Sequence, residues 1–166
     1  MRYLNIGCGN DLRLGFLNVD KNKPYDKKVD LELPEYPFKK NTFDYILADN
    51  VLEHVHNIVG CIEELHRICK PDGSIEVIVP YYNSPNAFRD LTHCNFFNLN
   101  SFDQFNTECE DKRYNLSKAQ FRVEYDLHPS PLGRFIPRRV LNMVGLSFGN
   151  VVSAITFRLY PVKREK

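Results

Sequence analysis

Tryptophan is absent from this chain, and its 166 residues hold only five cysteines and eight glycines. Five is an odd number, and Cys8, Cys61, Cys69, Cys94 and Cys109 form no Cys-x-x-Cys pair. Neither a disulfide framework nor a zinc site is signalled, and reduced thiols in a cytoplasm fit best. His-Glu-x-x-His and the acidic loop of a calcium site are missing too, so no metal is expected at His54-x-His56 or at the acids near Asp90. No run reaches the ~20 apolar residues of a membrane span. Behind its basic residue, the opening Met1 to Gly7 has no apolar stretch like that of a secretory leader, and a soluble, cytoplasmic protein is expected. Eight Gly and ten Pro without any repeat exclude collagen-like and linker-like chains. Excess charge is lacking as well. A formal net charge of +1 argues against neutralising a nucleic-acid backbone, which takes many unpaired Lys and Arg.

What is present suffices for one ordinary core. A chain this long buries roughly 70% of its unfolded surface, and 43% of its residues are hydrophobic, with 12 Phe and 9 Tyr. The near-zero charge is a cancellation. Residues 1–111 hold 11 Lys/Arg and 18 Asp/Glu, a formal −7, whereas residues 112–166 hold 11 and 3, a formal +8. A basic face for an anionic ligand and two merely solvated surfaces both fit this split.

Short apolar runs alternate with turns and one clear helix through the first 80 residues. Strands are expected at 3–6, 16–19, 28–31, 43–48 and 75–79, and a helix at 58–69, where Ile58, Ile62, Leu65 and Cys69 recur at helical spacing. Pro71-Asp72-Gly73 is expected to stop that helix. Such alternation describes an α/β fold, a Rossmann-like sheet whose parallel strands are buried on both faces. Beyond Asn83 the sequence predicts one short helix near 101–106. It then predicts strands at 120–127 and 153–162, with no helix between them long enough for a parallel crossover. These two read as an antiparallel pair at the C-terminal edge of a mostly parallel sheet.

In such sheets ligands bind beyond the carboxyl ends of the strands. Gly7-Cys8-Gly9, Asp20, Asp30, Asp49-Asn50 and Pro80 to Asn83 each follow a strand in that position. The glycines let backbone approach a ligand with no Cβ in the way. A dinucleotide fingerprint would need glycine where the chain has Leu12, and Asp20 follows Gly9 too soon for the usual helix. A nicotinamide or flavin enzyme is therefore disfavoured.

The stretches LNIGCGN (4–10), FLNVD (16–20), the run from Val29 to His54 and ELHRICKPDGSIEVIVP (64–80) resemble the class I S-adenosylmethionine-dependent methyltransferases. The likeness is to the small single-domain members of the type 11 group, and it covers about half the chain. It implies that Gly7 and Gly9, with Cys8 between them, face the methionyl part of S-adenosyl-L-methionine. Asp20 would take both ribose hydroxyls, Asp30 and Leu31 would meet the adenine, and Asp49-Asn50 would line the methionyl side. A carboxylate accepting two hydroxyls makes physical sense at Asp20, whereas Asp30 also fits a turn former. Two departures stand out. The acid usual two positions before the first glycine is Asn5, and the first helix is nearly absent. No Asn-Pro-Pro-Tyr motif follows the fourth strand, so base methylation in nucleic acid is disfavoured.

The substrate side is expected on the loops after the fourth and fifth strands. His93 is the candidate base with Asp90 orienting it, and a loop histidine satisfied by local hydrogen bonds is the alternative. Tyr81 and Tyr82 offer a hydroxyl or an aromatic wall, or plain packing, and His54 stands at a helix start near the cofactor. The segment from Pro129 to Asn150 carries Arg134, Arg138 and Arg139 beside a short apolar helix that Pro137 is placed to start. Its arginines could grip phosphate or carboxylate, while its apolar half could cap a pocket, meet a second subunit or rest on a membrane. One domain over 1–166 is expected, with 1–80 holding the cofactor and 81–166 facing the substrate. The resemblance implies methyl transfer to O or N of a small or saccharide-like, anionic or neutral acceptor, releasing S-adenosyl-L-homocysteine. The alternative is a cofactor-binding protein of the same fold that acts through a partner without transferring methyl. Acceptor identity and oligomeric state stay open.

Overall fold

Seven strands form one sheet in the computed structural model, which describes residues 1–110 and 117–163. Lys112, Arg113, Arg164 and Lys166, part of the basic excess counted above, lie outside those residues. The strands are β1 (Tyr3–Ile6), β2 (Phe16–Asp20), β3 (Lys27–Lys28), β4 (Phe43–Asp49), β5 (Cys69–Pro80), β6 (Phe121–Pro129) and β7 (Val152–Pro161). Their order is β3-β2-β1-β4-β5-β7-β6. Pairings from β3 through β5 are parallel, and β7 runs antiparallel to both β5 and β6. The expected mixed sheet with an antiparallel C-terminal pair is thus the one that forms, with β6 at the edge.

Burial on both faces explains the β-branched and aliphatic composition of the central strands. Leu4, Ile6, Ile46, Ala48, Ile75, Val77 and Val79 are all fully buried. One face is covered by α1 (Ile58–Ile68), which buries Cys61, Ile62, Leu65 and Ile68 and is capped by the Asn57 side chain accepting from the Gly60 amide. Two further helices follow, α2 (Pro85–Arg89) and α3 (Arg138–Ser147). Chain order reverses about β1, with β2 on one side and β4 on the other, so the carboxyl ends of β1 and β4 flank the crevice where this class of sheet binds ligands.

Four local expectations change. The third strand is only two residues long, because Asp30 and Leu31 already belong to the following loop. Pro71-Asp72-Gly73 does not separate helix from strand: α1 ends at Ile68 and β5 starts at Cys69. Between the pairs Phe43↔Cys69 and Tyr45↔Ser74, residues 70–73 bulge opposite Asp44 alone. Gly73 is required there, since a Cβ would lie 2.8 Å from the Asp44 carbonyl oxygen. The helix expected near 101–106 shrinks to one 3-10 turn, Asp103–Phe105, and α2 was not anticipated.

The missing first helix has a physical substitute. Asn5 Nδ2 donates to the Asp11 carbonyl at 2.7 Å and to Asn18 Oδ1 at 3.1 Å, and Asn18 Oδ1 also accepts from the Arg13 amide at 2.8 Å. Asn18 in turn donates through its backbone and side chain to Asp26 Oδ2. Two buried amides therefore pin the turn between β1 and β2 and the loop after β2 with hydrogen bonds that a helix would otherwise satisfy internally.

Candidate active site

A cleft of about 670 Å³ opens beyond the carboxyl ends of β1, β2 and β4. Gly7 and Gly9 form one wall, with φ of 66° and 50°, left-handed values that favour glycine. At Gly7 the constraint is also steric, because an added Cβ would sit 2.1 Å from Val51 Cγ2. Asp20 stands at the tip of β2 and accepts from the Gly9 amide at 3.0 Å and from the Asn22 amide at 2.8 Å. Each carboxylate oxygen takes one amide and keeps acceptor capacity for a ligand. Asp30 and Leu31 line the opposite end, and the Asp30 carboxylate accepts from the Glu32 amide at 3.1 Å, so its turn-forming role and its place in the cleft coexist. Asn50, at φ 49°, closes the side nearest β4.

Two residues expected at the cofactor lie elsewhere. The Cys8 side chain is buried, with its thiol against the Gly9 and Pro24 carbonyls, and burial followed by the Asp20 charge pushes that thiol up from its ordinary pKa. Asp49 points away from the cleft into an ion pair, accepting from Arg13 Nη2 at 2.8 Å and from the Asn50 side chain at 2.8 Å. Asp49 therefore anchors the turn after β1 to β4, and its neighbour Asn50 does the lining.

A second cleft of about 610 Å³ adjoins the first and shares Asn50 and His54 with it. Its walls include Glu53, Pro80, Arg89, Asp90, His93 and Ser153. His54 and His93 face each other, ring centroids 4.7 Å apart and planes at 74°. Asp90 does not orient His93 as anticipated. It accepts from the Thr92 amide and hydroxyl, both at 2.8 Å, and these bonds hold its carboxyl below its ordinary pKa. The Thr92 hydroxyl then meets His54 Nδ1 at 2.8 Å, while His93 Nδ1 is oriented by the Ala87 carbonyl at 2.9 Å. Burial, then the neighbouring His93, lowers the His54 pKa.

The other substrate-side expectations are not brought to this cleft. Tyr81 is fully buried, its hydroxyl finds no partner among the described residues, and burial pushes it up to about 12, which suits packing rather than catalysis. Tyr82 donates to the Leu146 carbonyl at 3.1 Å and ties the end of α3 to the loop after β5. Arg138 pairs with Asp126 at 3.1 Å, and Arg134 and Arg139 are exposed; none of the three lines either cleft. The apolar side of α3 divides, with Leu141 and Gly145 packed inward and Met143 and Leu146 exposed. Sequence reasoning missed Glu53 and Arg89. Glu53 is only 2% exposed, and burial pushes its carboxyl up to about 7. Nothing in the phrase VLEH distinguishes a buried acid from a solvated one, and Arg89 reaches the cleft only because of the unforeseen α2.

Residues 8–77 match a family model described as a methyltransferase domain. An uncharacterised protein of Methanocaldococcus jannaschii is 35% identical over 89 residues, covering 46% of this chain and 39% of the relative. A demethylmenaquinone methyltransferase of Oceanobacillus iheyensis is 32% identical over 76 residues, covering 42% of this chain and 32% of the relative. The chain thus spans two fifths or less of the length of the curated relatives it matches. A solved S-adenosylmethionine-dependent methyltransferase from Archaeoglobus fulgidus superposes with a TM-score of 0.65 at 14% identity, over 95% of this chain and 85% of that one. No helix among the described residues is long and apolar enough to cross a membrane. Residues 8–77 are similar to the methyltransferase-domain family, and the chain that carries them shares the fold of solved S-adenosylmethionine-dependent methyltransferases.

Proposed function

We propose that this chain transfers the methyl group of S-adenosylmethionine to an oxygen or nitrogen of a small acceptor, of saccharide-like size and with an anionic group in reach of Arg89. The observation that carries this reading is the sharing of Asn50 and His54 by two adjoining clefts. A methyl transfer needs the nucleophile directly behind the methyl carbon, in line with the departing sulfur, which calls for two compartments that meet at one point. S-adenosylmethionine supplies an electrophilic methyl on a sulfonium when bound. The chain's own residues divide the remaining work. Asp20 accepts the ribose hydroxyls, Leu31 gives an apolar surface and Asp30 a polar edge for the adenine, and Gly7, Gly9 and Asn50 border the methionyl end.

On the acceptor side, His93 receives the proton. Its Nδ1 faces a carbonyl, which only accepts, so Nδ1 carries the hydrogen and Nε2 keeps its lone pair. Arg89 holds an acceptor carboxylate, phosphate or sulfate at the rim, a role that passes to it from the arginines around α3. Calorimetry with S-adenosylhomocysteine tests the cofactor half, and radiolabelled methyl transfer to a panel of anionic and neutral sugars and small acids tests the other half. Binding followed by turnover with one acceptor class is expected. Tight cofactor binding with no turnover on any acceptor would favour a non-catalytic binding protein that acts through a partner.

A further inference from the structure

Glu53, His54 and His93 come from two segments, the turn after β4 and the loop after α2, and one ligand atom of each lies within 4.8 Å of those of the other two. Glu53 Oε2 is buried in a residue that lines the second cleft, yet it has no hydrogen-bond partner among the described residues. A buried carboxylate oxygen without a donor bears an uncompensated desolvation cost, which a cation would offset. The two rings are prepared in a matching way. His93 Nδ1 gives its hydrogen to the Ala87 carbonyl. The Thr92 hydroxyl gives its own hydrogen to Asp90, which leaves it to accept from His54 Nδ1. Both neutral rings therefore keep an unprotonated Nε2, and an outer hydrogen bond fixing the far nitrogen is how metal-binding histidines are usually oriented.

We infer that Glu53, His54 and His93 form a site for a first-row divalent transition cation where the two clefts meet. Two imidazoles and one carboxylate suit Zn²⁺, Co²⁺, Mn²⁺ or Fe²⁺ in preference to Mg²⁺ or Ca²⁺, which favour oxygen donors. A Zn–N distance of about 2.0–2.1 Å requires the three side chains to draw together slightly. Three protein ligands leave coordination positions open on the cleft side, where an acceptor oxygen would fit. The cation would then occupy the His93 lone pair that the acceptor proton otherwise meets, and it would acidify the acceptor hydroxyl in its place. The hydroxyl proton leaves to solvent, the oxygen bonds to the methyl carbon, and the electron pair of the breaking C–S bond returns to sulfur. This catalytic role rests on the methyl-transfer reading, whereas the site itself does not.

Metal-free full-length protein is titrated with Co²⁺, followed by visible absorption, and with Zn²⁺, followed by calorimetry, both without cofactor. One equivalent is expected to bind, with Co²⁺ bands of a nitrogen- and oxygen-ligated ion. Glu53→Gln and His93→Asn each weaken binding at least tenfold, while His128→Gln, in β6, leaves it unchanged. Thermal unfolding and S-adenosylhomocysteine binding of each variant separate lost ligation from lost folding, with His54→Asn as a third variant should one fail to fold. Absence of stoichiometric binding, or binding that survives in folded Glu53 and His93 variants, overturns the inference. Cation binding without turnover on any acceptor would count against the methyl-transfer reading alone.

Discussion

The Gly9 amide donates to Asp20 Oδ2 at 3.0 Å, joining the turn after β1 to the tip of β2 across the floor of the first cleft. The same carboxylate that would bind the ribose thus also fixes the backbone that would face the methionyl group. Asp20→Ala is expected to lose both functions. With hydrogen bonds to a charged group worth about 1.5–3 kcal/mol, S-adenosylhomocysteine affinity should fall roughly tenfold to hundredfold or more. Asp20→Asn keeps an acceptor for one partner and should fall between. Calorimetry reads both, and undiminished affinity in the alanine variant would remove Asp20 from the site.

Arg89 and the arginines around α3 make opposite predictions for acceptor recognition. Arg89 lines the second cleft, whereas Arg138 is paired with Asp126 and Arg134 and Arg139 line neither cleft. For an anionic acceptor, Arg89→Ala should raise KM at least tenfold with a smaller change in kcat, since an anchor distant from the reacting atoms contributes similar binding to ground and transition states. The triple variant of Arg134, Arg138 and Arg139 to alanine should change neither constant by more than about twofold. Reversal of this pattern would return acceptor binding to the segment before and within α3.

The contrast marks where the sequence is readable. Most strands, α1 and the glycines and acids that border the first cleft follow from local signals: a Gly-x-Gly after an apolar run, acids at strand ends, a 3.6-residue period over α1. Gly7 is legible as a turn glycine, whereas the Val51 side chain that would meet its Cβ is visible only after folding. The acceptor side depends on long-range placement. Arg134 to Arg139 form a conspicuous run in sequence, but they fall in the long connection from β6 to β7, at and before the start of α3, and line neither cleft. Glu53, an ordinary letter in VLEH, becomes the buried acid of the site through contacts with a loop some forty residues on: its carbonyl accepts from the Cys94 and Asn95 amides. The 5-residue α2 is too short to show a period, so Arg89 gives no signal before folding.

Stability of the loop between Leu31 and Phe38 should depend on one buried ion pair. Glu64 Oε2 accepts from the Tyr36 amide at 2.7 Å, and Arg67 binds Glu64 through Nε at 2.6 Å and Nη2 at 2.7 Å. Arg67 also donates to the Phe38 and Tyr36 carbonyls, fastening the chain between Leu31 and Phe38 to α1. Arg67→Ala leaves Glu64 buried without its cation. Removing one partner of a buried pair costs about 3–5 kcal/mol, and because the Arg67 side chain is 28% exposed the expected loss is nearer 2–3 kcal/mol. Glu64→Gln should cost less, because its amide oxygen still accepts from Tyr36 or Arg67. Urea unfolding with an unchanged denaturant slope measures both.

His66 should give the fold an acid-side weakness. Its ring lies on α1 against Phe121, centroids 5.0 Å apart, and its buried Nε2 has no hydrogen-bond partner among the described residues. Burial first, and then the Lys163 charge, lowers its pKa below the ordinary 6.5. The folded state therefore takes up this proton less readily than the unfolded chain. Well above pH 6.5 both states are neutral here and the group adds no pH dependence. As pH falls through 6.5 the unfolded chain protonates first and stability declines, until the folded pKa is reached and the decline stops. Lys163, itself lowered by burial from an ordinary value of 10.5, is present in wild type and variant alike, so its own titration cancels to first order from their difference. His66→Gln stays neutral throughout, so the stability difference between wild type and variant should be constant above pH 7 and should shift in favour of the variant as pH falls toward 5. Thermal unfolding across that range decides it: parallel curves for the two proteins would mean that His66 is protonated equally easily in both states.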